Sequence, residues 1–321
     1  TFGFASVPTA LAFFVGAVGN TITQSVAPIS FQAETITYAG TAGKDRSERC
    51  TMIFIGGVIM ALIGAFGLLT KIVNFVGEDV AYGMMAGVGI ILVKAAIDMI
   101  KSDAISGGVS LAAALITYYF TKDSANTLVY TIVISVVASC IANAFFNKEK
   151  SSIVVEDEKF TINANVILGA LGMVCLNIGS NISFGGITAG MATGGNYNVD
   201  NLTVISSLAD MFSSFFGGAP VEAIISATAN APHAVWAGVI MMVVIGVILL
   251  LKLLPKIGKF VPSSSIAGFL FVLGIFKTVV LDAPSAFAVN AAVGGTTMVV
   301  TAVTNPFLGM LAGVAAKLLG L

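Results

Sequence analysis

The chain has 321 residues, 57% of them hydrophobic and 10% charged, with a net charge of −1 and a mean hydropathy of +1.00. Soluble domains run about 45–50% apolar and about 25% charged, so 15 basic and 16 acidic side chains cannot clothe a water-facing surface of this size. A soluble enzyme, a nucleic-acid binder and a disordered chain are excluded, and the composition is that of an all-α polytopic protein of the lipid bilayer.

The first residue is Thr1, and no basic stretch precedes the first apolar run, so there is no signal-peptide pattern. At roughly 20 residues per spanning helix the length accommodates about 12 to 14 spans. Apolar runs bounded by charge or turn residues predict spans at 5–22, 28–43, 51–70, 80–101, 104–120, 125–146 and 162–191, then at 201–217, 221–232, 235–254, 262–281, 285–303 and 304–320. The clearest hydrophilic break, NKEKSSIVVEDEK at 147–159, predicts a linker (147–160) between a first half, 1–146, and a second, 161–321. Two shorter stretches, 71–79 and 252–260, mix charged residues with aliphatic and aromatic ones and read as amphipathic elements lying in the membrane interface. Cys50, Cys140 and Cys175 are odd in number and far apart, which fits small buried hydrophobes rather than a disulfide framework.

The halves repeat. Residues 25–30 read SVAPIS and 217–222 read GGAPVE, so an Ala-Pro-aliphatic element opens a short Thr/Ser/Ala-rich segment in each. Downstream, GGVIMALIGAFGLLTKIVNFV (56–76) resembles AGVIMMVVIGVILLLKLLPKIGKFV (237–261), and AGVGIILVK (86–94) resembles AGFLFVLGIFK (267–277). Three matches in one order at a nearly constant offset predict an internal duplication. Two spans precede the Ala-Pro element in the second half and one precedes it in the first, so the first half is expected to lack its first helix. The complete pattern is seven plus seven, and an odd number of spans per repeat forces inverted topology.

Proline removes a backbone donor and pushes the preceding residue to extended geometry, so Pro28 and Pro220 predict broken helices. Unwound backbone at membrane depth survives only where it is buried or lines a cavity, and paired breaks in two halves point to a transporter binding site. Glu222 follows Pro220 by two residues and Glu34 follows Pro28 by six; ionisable groups at such positions are expensive and usually functional. Asp210 is also intramembrane by position, as an inter-helix contact or a functional group. The run NIGSNISFGGITAGMATGGN (177–196) is polar for a span: Asn177, Ser180, Asn181, Ser183 and Thr188 suit a helix facing a polar cavity, with Phe184 available to stack on a planar ligand. Gly186, Gly190 and Gly194 form a small-residue stripe that suits close helix packing. Lys94, Asp98, Lys101 and Asp103 read as snorkelling and ion pairing at a span end, and His233 with Trp236 as interface residues. A single histidine leaves no metal-site cluster.

The segments TALAFFVGAVGNTITQSVAPISFQAETITYAG (9–40), GGVIMALIGAFGLLTKIVNFVGEDVAYGMMAGVGIILV (56–93) and GGAPVEAIISATAN (217–230) together resemble the xanthine/uracil permeases. The guanine/hypoxanthine branch of these nucleobase:proton symporters is the most similar, and the likeness runs from about residue 5 to 318. It implies the nucleobase transporter fold: two inverted seven-helix repeats forming a core and a gate domain, with short strands at two broken helices and substrate between the strands. The strand-helix elements fall on 27–34 and 219–226, and the eighth helix on 177–192. The implied substrate contacts are Ser30, Phe31, Asn177, Asn181, Phe184, Ala219, Glu222 and Ser226, with Glu222 and Glu34 as coupling carboxyls. The implied activity is secondary transport of a small planar polar solute, a purine above all, with protons. It requires no cofactor and no metal, takes place across the plasma (inner) membrane in a multi-pass protein, and is compatible with a homodimer. The chain departs from the branch where Asn181 or Ile182 stands for an acidic residue on helix eight, and Ser226 for the Glu of helix ten. An anion or carboxylate carrier of the same fold, with half-helix N-termini facing a negative charge, therefore stays open, as does a non-transporting membrane subunit or sensor.

Overall fold

In hydrocarbon a long apolar run has one stable form, because a helix satisfies its own backbone and an open strand does not. A computed structural model describes residues 2–124, 127–146, 160–192, 194–258 and 260–321; the predicted linker, apart from residue 160, lies outside the described residues. The helices are α1 (Ser6–Thr23), α2 (Ala33–Ala42), α3 (Arg46–Ala65), α4 (Leu69–Val76), α5 (Glu78–Ser102), α6 (Ala104–Thr121) and α7 (Thr127–Phe146), then α8 (Ala164–Met191), α9 (Val199–Phe215), α10 (Ala234–Leu250), α11 (Leu253–Gly258), α12 (Ala267–Val272), α13 (Val280–Val303) and α14 (Pro306–Leu318). Among the described residues seven helical stretches are long and apolar enough to cross a bilayer, the last of them the kinked Ser263–Val303. The protein is an integral, multi-pass membrane protein.

Two predicted spans are not continuous helices. The segment 28–43 is a two-residue strand, β1 (Ile29–Ser30), followed by the half-helix α2; the segment 221–232 is β2 (Glu222–Ala223) followed by a short 3-10 turn, Ala227–Asn230. The strands pair antiparallel, Ile29 opposite Ala223 and Ser30 opposite Glu222. Ala27, Ile29, Val221 and Ala223 are packed into one core cluster with Phe13 of α1, Leu202 and Ile205 of α9 and Met242 of α10, so the apolar side chains of the strand crossing are anchored in the core. The amphipathic stretches become α4 and α11, each a short helix after a long one.

Helix α1 packs on α9 and α10, and α3 on α8 and α9, around the strands. A second group forms where α5 packs on α13 and on the π-helical stretch Leu273–Val279, with α6 on α7 and α12. Gly89 and Gly274 let this second group close up. A Cβ on Gly89 would stand 2.7 Å from the Gly274 carbonyl oxygen, and one on Gly274 would stand 2.6 Å from that of Gly89. The second copy of the AGVGIILVK motif is two residues longer than the first, and its last five residues are part of the π-helical stretch, a geometry that absorbs extra residues without ending a helix.

Three local expectations are corrected. The boundary predicted between 281 and 285 is absent: helix α13 runs through Pro284 and breaks at Asn290 instead, which has φ −154° and ψ 108°. Asn290 Oδ1 accepts from the amides of Ala292 (3.0 Å) and Val293 (3.2 Å), so an N-cap, not the proline, sets the break. Residues 46–49 are not loop but the first turn of α3, because Asp45 Oδ1 accepts from the Glu48 amide at 2.8 Å and Glu48 Oε2 from the Lys44 amide at 3.0 Å. The glycine stripe does not form a packing seam along α8: among the described residues a Cβ on Gly190 would meet nothing within 4 Å and one on Gly186 only the Tyr197 hydroxyl at 4.0 Å, while Gly194 lies beyond the end of the helix.

Candidate functional site

Each proline forces its preceding residue out of the helix, which leaves peptide groups at membrane depth that need partners. In the first half Asn20 Nδ2 donates to the Ala27 carbonyl at 2.8 Å and to that of Ser25 at 3.4 Å. In the second, Ser213 Oγ donates to the Ala219 carbonyl at 2.6 Å, while the Ala219 amide donates to Thr9 Oγ1 at 2.8 Å. The Val221 amide then donates to Asp210 Oδ1 at 2.8 Å. Further back, the buried Arg46 guanidinium donates to the Gly217 carbonyl from Nη2 at 3.0 Å and from Nε at 3.3 Å. Side chains of α1, α3 and α9 thus hold both approaches to the strand pair. The crossing itself adds the Ile224 amide to the Pro28 carbonyl at 3.4 Å and Gln32 Nε2 to the Ala223 carbonyl at 3.4 Å.

Beside β2 lies a cluster of polar side chains with almost no exposure: Glu222 and Asp210 at 0%, Asn181 at 0%, Ser206 at 1% and Asn177 at 2%. Asp210, Ser206 and Asn177 surround the Glu222 carboxyl, yet no hydrogen bond of ordinary geometry reaches either of its oxygens. Asn181 Nδ2 donates to Thr203 Oγ1 at 3.1 Å and Ser206 Oγ at 3.4 Å, and its backbone carbonyl accepts from the Tyr197 hydroxyl at 2.8 Å. Among the described residues, the atoms of this cluster left without partners are Oδ1 of Asn177 and Asn181, Oδ2 of Asp210 and both carboxyl oxygens of Glu222. Every one is an acceptor. Among the described residues neither carboxyl has an ion-pair partner. Two adjacent carboxylates in a low-dielectric interior cannot both keep their charge without a proton or a cation to share. The cluster therefore has the chemistry to hold a proton, a small cation, or a ligand edge rich in N–H donors.

The structure brings Glu222, Asn177, Asn181 and Ser30 together at this crossing. Phe31 packs edge-on against Phe13, ring centroids 5.1 Å apart, in the apolar core. Phe184 lies elsewhere, in a cluster with Met84, Met85 and Met310. The Ala219 peptide is consumed by Ser213 and Thr9 as described. Ser226 N-caps the 3-10 turn, its Oγ accepting from the Thr228 amide at 3.3 Å. Glu34 is buried in the first turn of α2, one turn past Ser30, with Asp282 of α13 as its charged neighbour. Asp103 caps α6 at the Ser106 amide (3.1 Å) and accepts from Ser264 Oγ (3.0 Å), while Lys101 pairs with Asp98 at 3.5 Å on the surface. Exposed His233 and half-exposed Trp236 line an open cavity of about 290 Å³ with Gln24 and Gly195. Ser206 escaped the sequence reading. Its signal was the buried face Thr203, Ser206, Ser207, Asp210, Ser213 and Ser214 along α9, polar residues at helical spacing in an apolar span.

No protein-family model matches the chain, and neither does any curated protein. Solved structures do. The transmembrane domain of BicA, a cyanobacterium bicarbonate transporter, superposes with a TM-score of 0.63 at 16% identity, over 96% of this chain and 94% of that one. The overall structure of SLC26A9 gives 0.62 at 14% identity over 99% of this chain and 63% of that one. The murine Slc26a9 anion transporter in the inward-facing state gives 0.67 at 12% identity over 98% and 66%. The chain spans about two-thirds of the length of the two SLC26A9 chains. At these identities the likeness is one of fold: this chain has the inverted-repeat membrane-domain architecture, with short strands at two broken helices. Among the described residues one helix, α1, precedes the first strand, where two of the second half, α8 and α9, precede the second. The likeness to the permeases holds at that level, and nucleobase recognition is not part of it.

Proposed function

We propose that the chain is a secondary transporter that carries a small anion across the bilayer, with a cation bound at Asp210 and Glu222 moving alongside it. In this reading 1–146 and 161–321 are the two repeats, joined by the linker 147–160. The neighbours of this fold named for their cargo carry bicarbonate or other anions, which favours an anion over a purine. The observation that carries the coupling is the buried carboxyl pair, ringed by unpartnered acceptors and without a cation of its own. An anion arriving at the strand crossing meets the start of α2, which has no side-chain cap and presents the positive end of a helix, with Glu34 in its first turn as a further carboxyl that must be protonated or paired for the anion to bind. On the other side it meets Asp210 and Glu222, which repel it until a proton or cation neutralises them. Each partner then binds more tightly when the other is present, which is the thermodynamic requirement for symport.

A second reading has one observation in its favour. Acceptors on Asn177, Asn181 and Glu222 without donors suit the N–H edges of a purine. Proteoliposomes containing the purified chain distinguish the two readings. Labelled bicarbonate, sulfate, chloride, guanine and uracil are offered in turn under an imposed proton or sodium gradient. Gradient-driven accumulation of an anion, with no uptake of the bases, is the expected result. Accumulation of a base alone reverses the substrate assignment.

A further inference from the structure

Thr188 lies on α8 beyond Asn177 and Asn181, and at 0% exposure its hydroxyl makes two bonds. It donates to the Ile224 carbonyl at 2.8 Å and accepts from the Ser226 amide at 3.2 Å. Those two peptide groups stand just after β2, where the chain leaves the strand for the 3-10 turn. An edge of this kind normally finds its donor and acceptor in a neighbouring strand. Here one side-chain hydroxyl supplies both. The bonds around it leave the segment little freedom: the Ile224 amide is held by the Pro28 carbonyl at 3.4 Å, the Ala223 carbonyl by Gln32 at 3.4 Å, and Ser226 Oγ shares a hydrogen bond with Thr228 Oγ1 at 2.8 Å. Asn177 and Asn181, on the same helix as Thr188, stand in the Glu222 cluster. Helix α8 therefore touches the β2 arch at both ends, through the acceptor cluster at one and through Thr188 at the other.

We propose that Thr188 is a positioning residue for transport: its hydroxyl pins the end of β2 to α8, so that Glu222 and the amides of Asn177 and Asn181 keep their mutual placement as solute binds and leaves. The proposal rests on the transporter reading above. A valine has the shape of threonine and neither bond, whereas a serine keeps both, so Thr188→Val and Thr188→Ser separate the hydroxyl from the packing.

The full chain and both variants are reconstituted, and two quantities are measured: deuterium exchange of the 223–228 amides, and the concentration dependence of labelled bicarbonate uptake. In T188V the Ser226 amide should exchange about tenfold faster and the half-saturation concentration rise about tenfold, with the maximal rate within about twofold of wild type; T188S should restore both. Wild-type affinity in T188V, even with faster exchange, overturns the positioning role and leaves a purely structural tether. A T188S variant as impaired as T188V overturns it too, since packing rather than hydrogen bonding would then be at stake. Should T188V fail to fold, Thr188→Ala against Thr188→Ser makes the same comparison. Absence of any solute uptake by the wild-type chain counts against the transporter reading, whereas normal wild-type uptake with an unaffected T188V counts against Thr188 alone.

Discussion

Ser30 and Glu222 are partners twice over. They stand opposite one another in the β1–β2 pair, and they hold the same place in the two copies of the Ala-Pro element, two residues after Pro28 and Pro220. When equivalent positions pair with each other in antiparallel register, the pseudo-two-fold axis relating the halves passes between them. The packing agrees: α1 against α10 and α3 against α9 are one contact seen from either half. The side chains break this symmetry. At the spacing of the two prolines, Asp210 corresponds to Val18 and Glu222 to Ser30, so the acid at the axis comes from the second half alone.

That asymmetry makes Ser30 intolerant of charge. Ser30→Asp places a third carboxyl in the buried cluster, opposite Glu222 and near Asp210, and should destabilise the protein by about 3 kcal/mol or more. Ser30→Ala should cost no more than about 1 kcal/mol. Thermal unfolding of the two variants in detergent makes the comparison, and equal midpoints would show that the strands do not face each other as described.

Asp210 has two separable tasks. Its Oδ1 receives the Val221 amide, and its other oxygen belongs to the acceptor cluster. Asp210→Asn keeps an acceptor for Val221 and removes the charge, so the fold should persist while cation dependence of uptake weakens. Asp210→Ala orphans a buried N–H at a cost of about 1–3 kcal/mol. Stability loss in the alanine variant together with near-normal stability in the asparagine variant is the expected pattern; the reverse order would contradict it.

Two glycines should respond in opposite ways. Gly89→Ala drives a methyl against the Gly274 carbonyl and should cost about 1–3 kcal/mol. Gly190→Ala meets open space within α8 and should be neutral or stabilise by up to about 1 kcal/mol through helix propensity. The same unfolding assay reads both.

Much of this was legible in the sequence, because membrane insertion imposes strong and repetitive demands. The spans, the two broken elements and the polar face of α8 follow from hydropathy and proline alone. The strands were not legible from pattern, since two residues are too few for any alternation to show. The boundary expected between 281 and 285 is absent and the break falls at Asn290 instead: a proline removes one donor from a helix, but an asparagine that caps two amides can start a new one. Residues that hold backbone groups, such as Thr9, Asn20 and Ser213, carried no local mark, because a single hydroxyl or amide in an apolar helix looks alike whether it bonds its own turn or a strand far along the chain. Glu34 stood out for its charge, yet the fold sets it beside Asp282 rather than in the Glu222 cluster.

The central claim is that Glu222, with Asp210, couples a cation to the movement of solute, and Glu222→Gln tests it most directly. Glutamine keeps the size and the hydrogen-bonding reach of the side chain and cannot take up or release the charge. In proteoliposomes, labelled bicarbonate is followed under an imposed proton or sodium gradient, and separately as exchange with unlabelled bicarbonate when both sides are identical. The folded E222Q protein should lose gradient-driven accumulation and retain exchange. If it accumulates bicarbonate against a gradient at the wild-type rate, Glu222 is not the coupling group and the account is wrong.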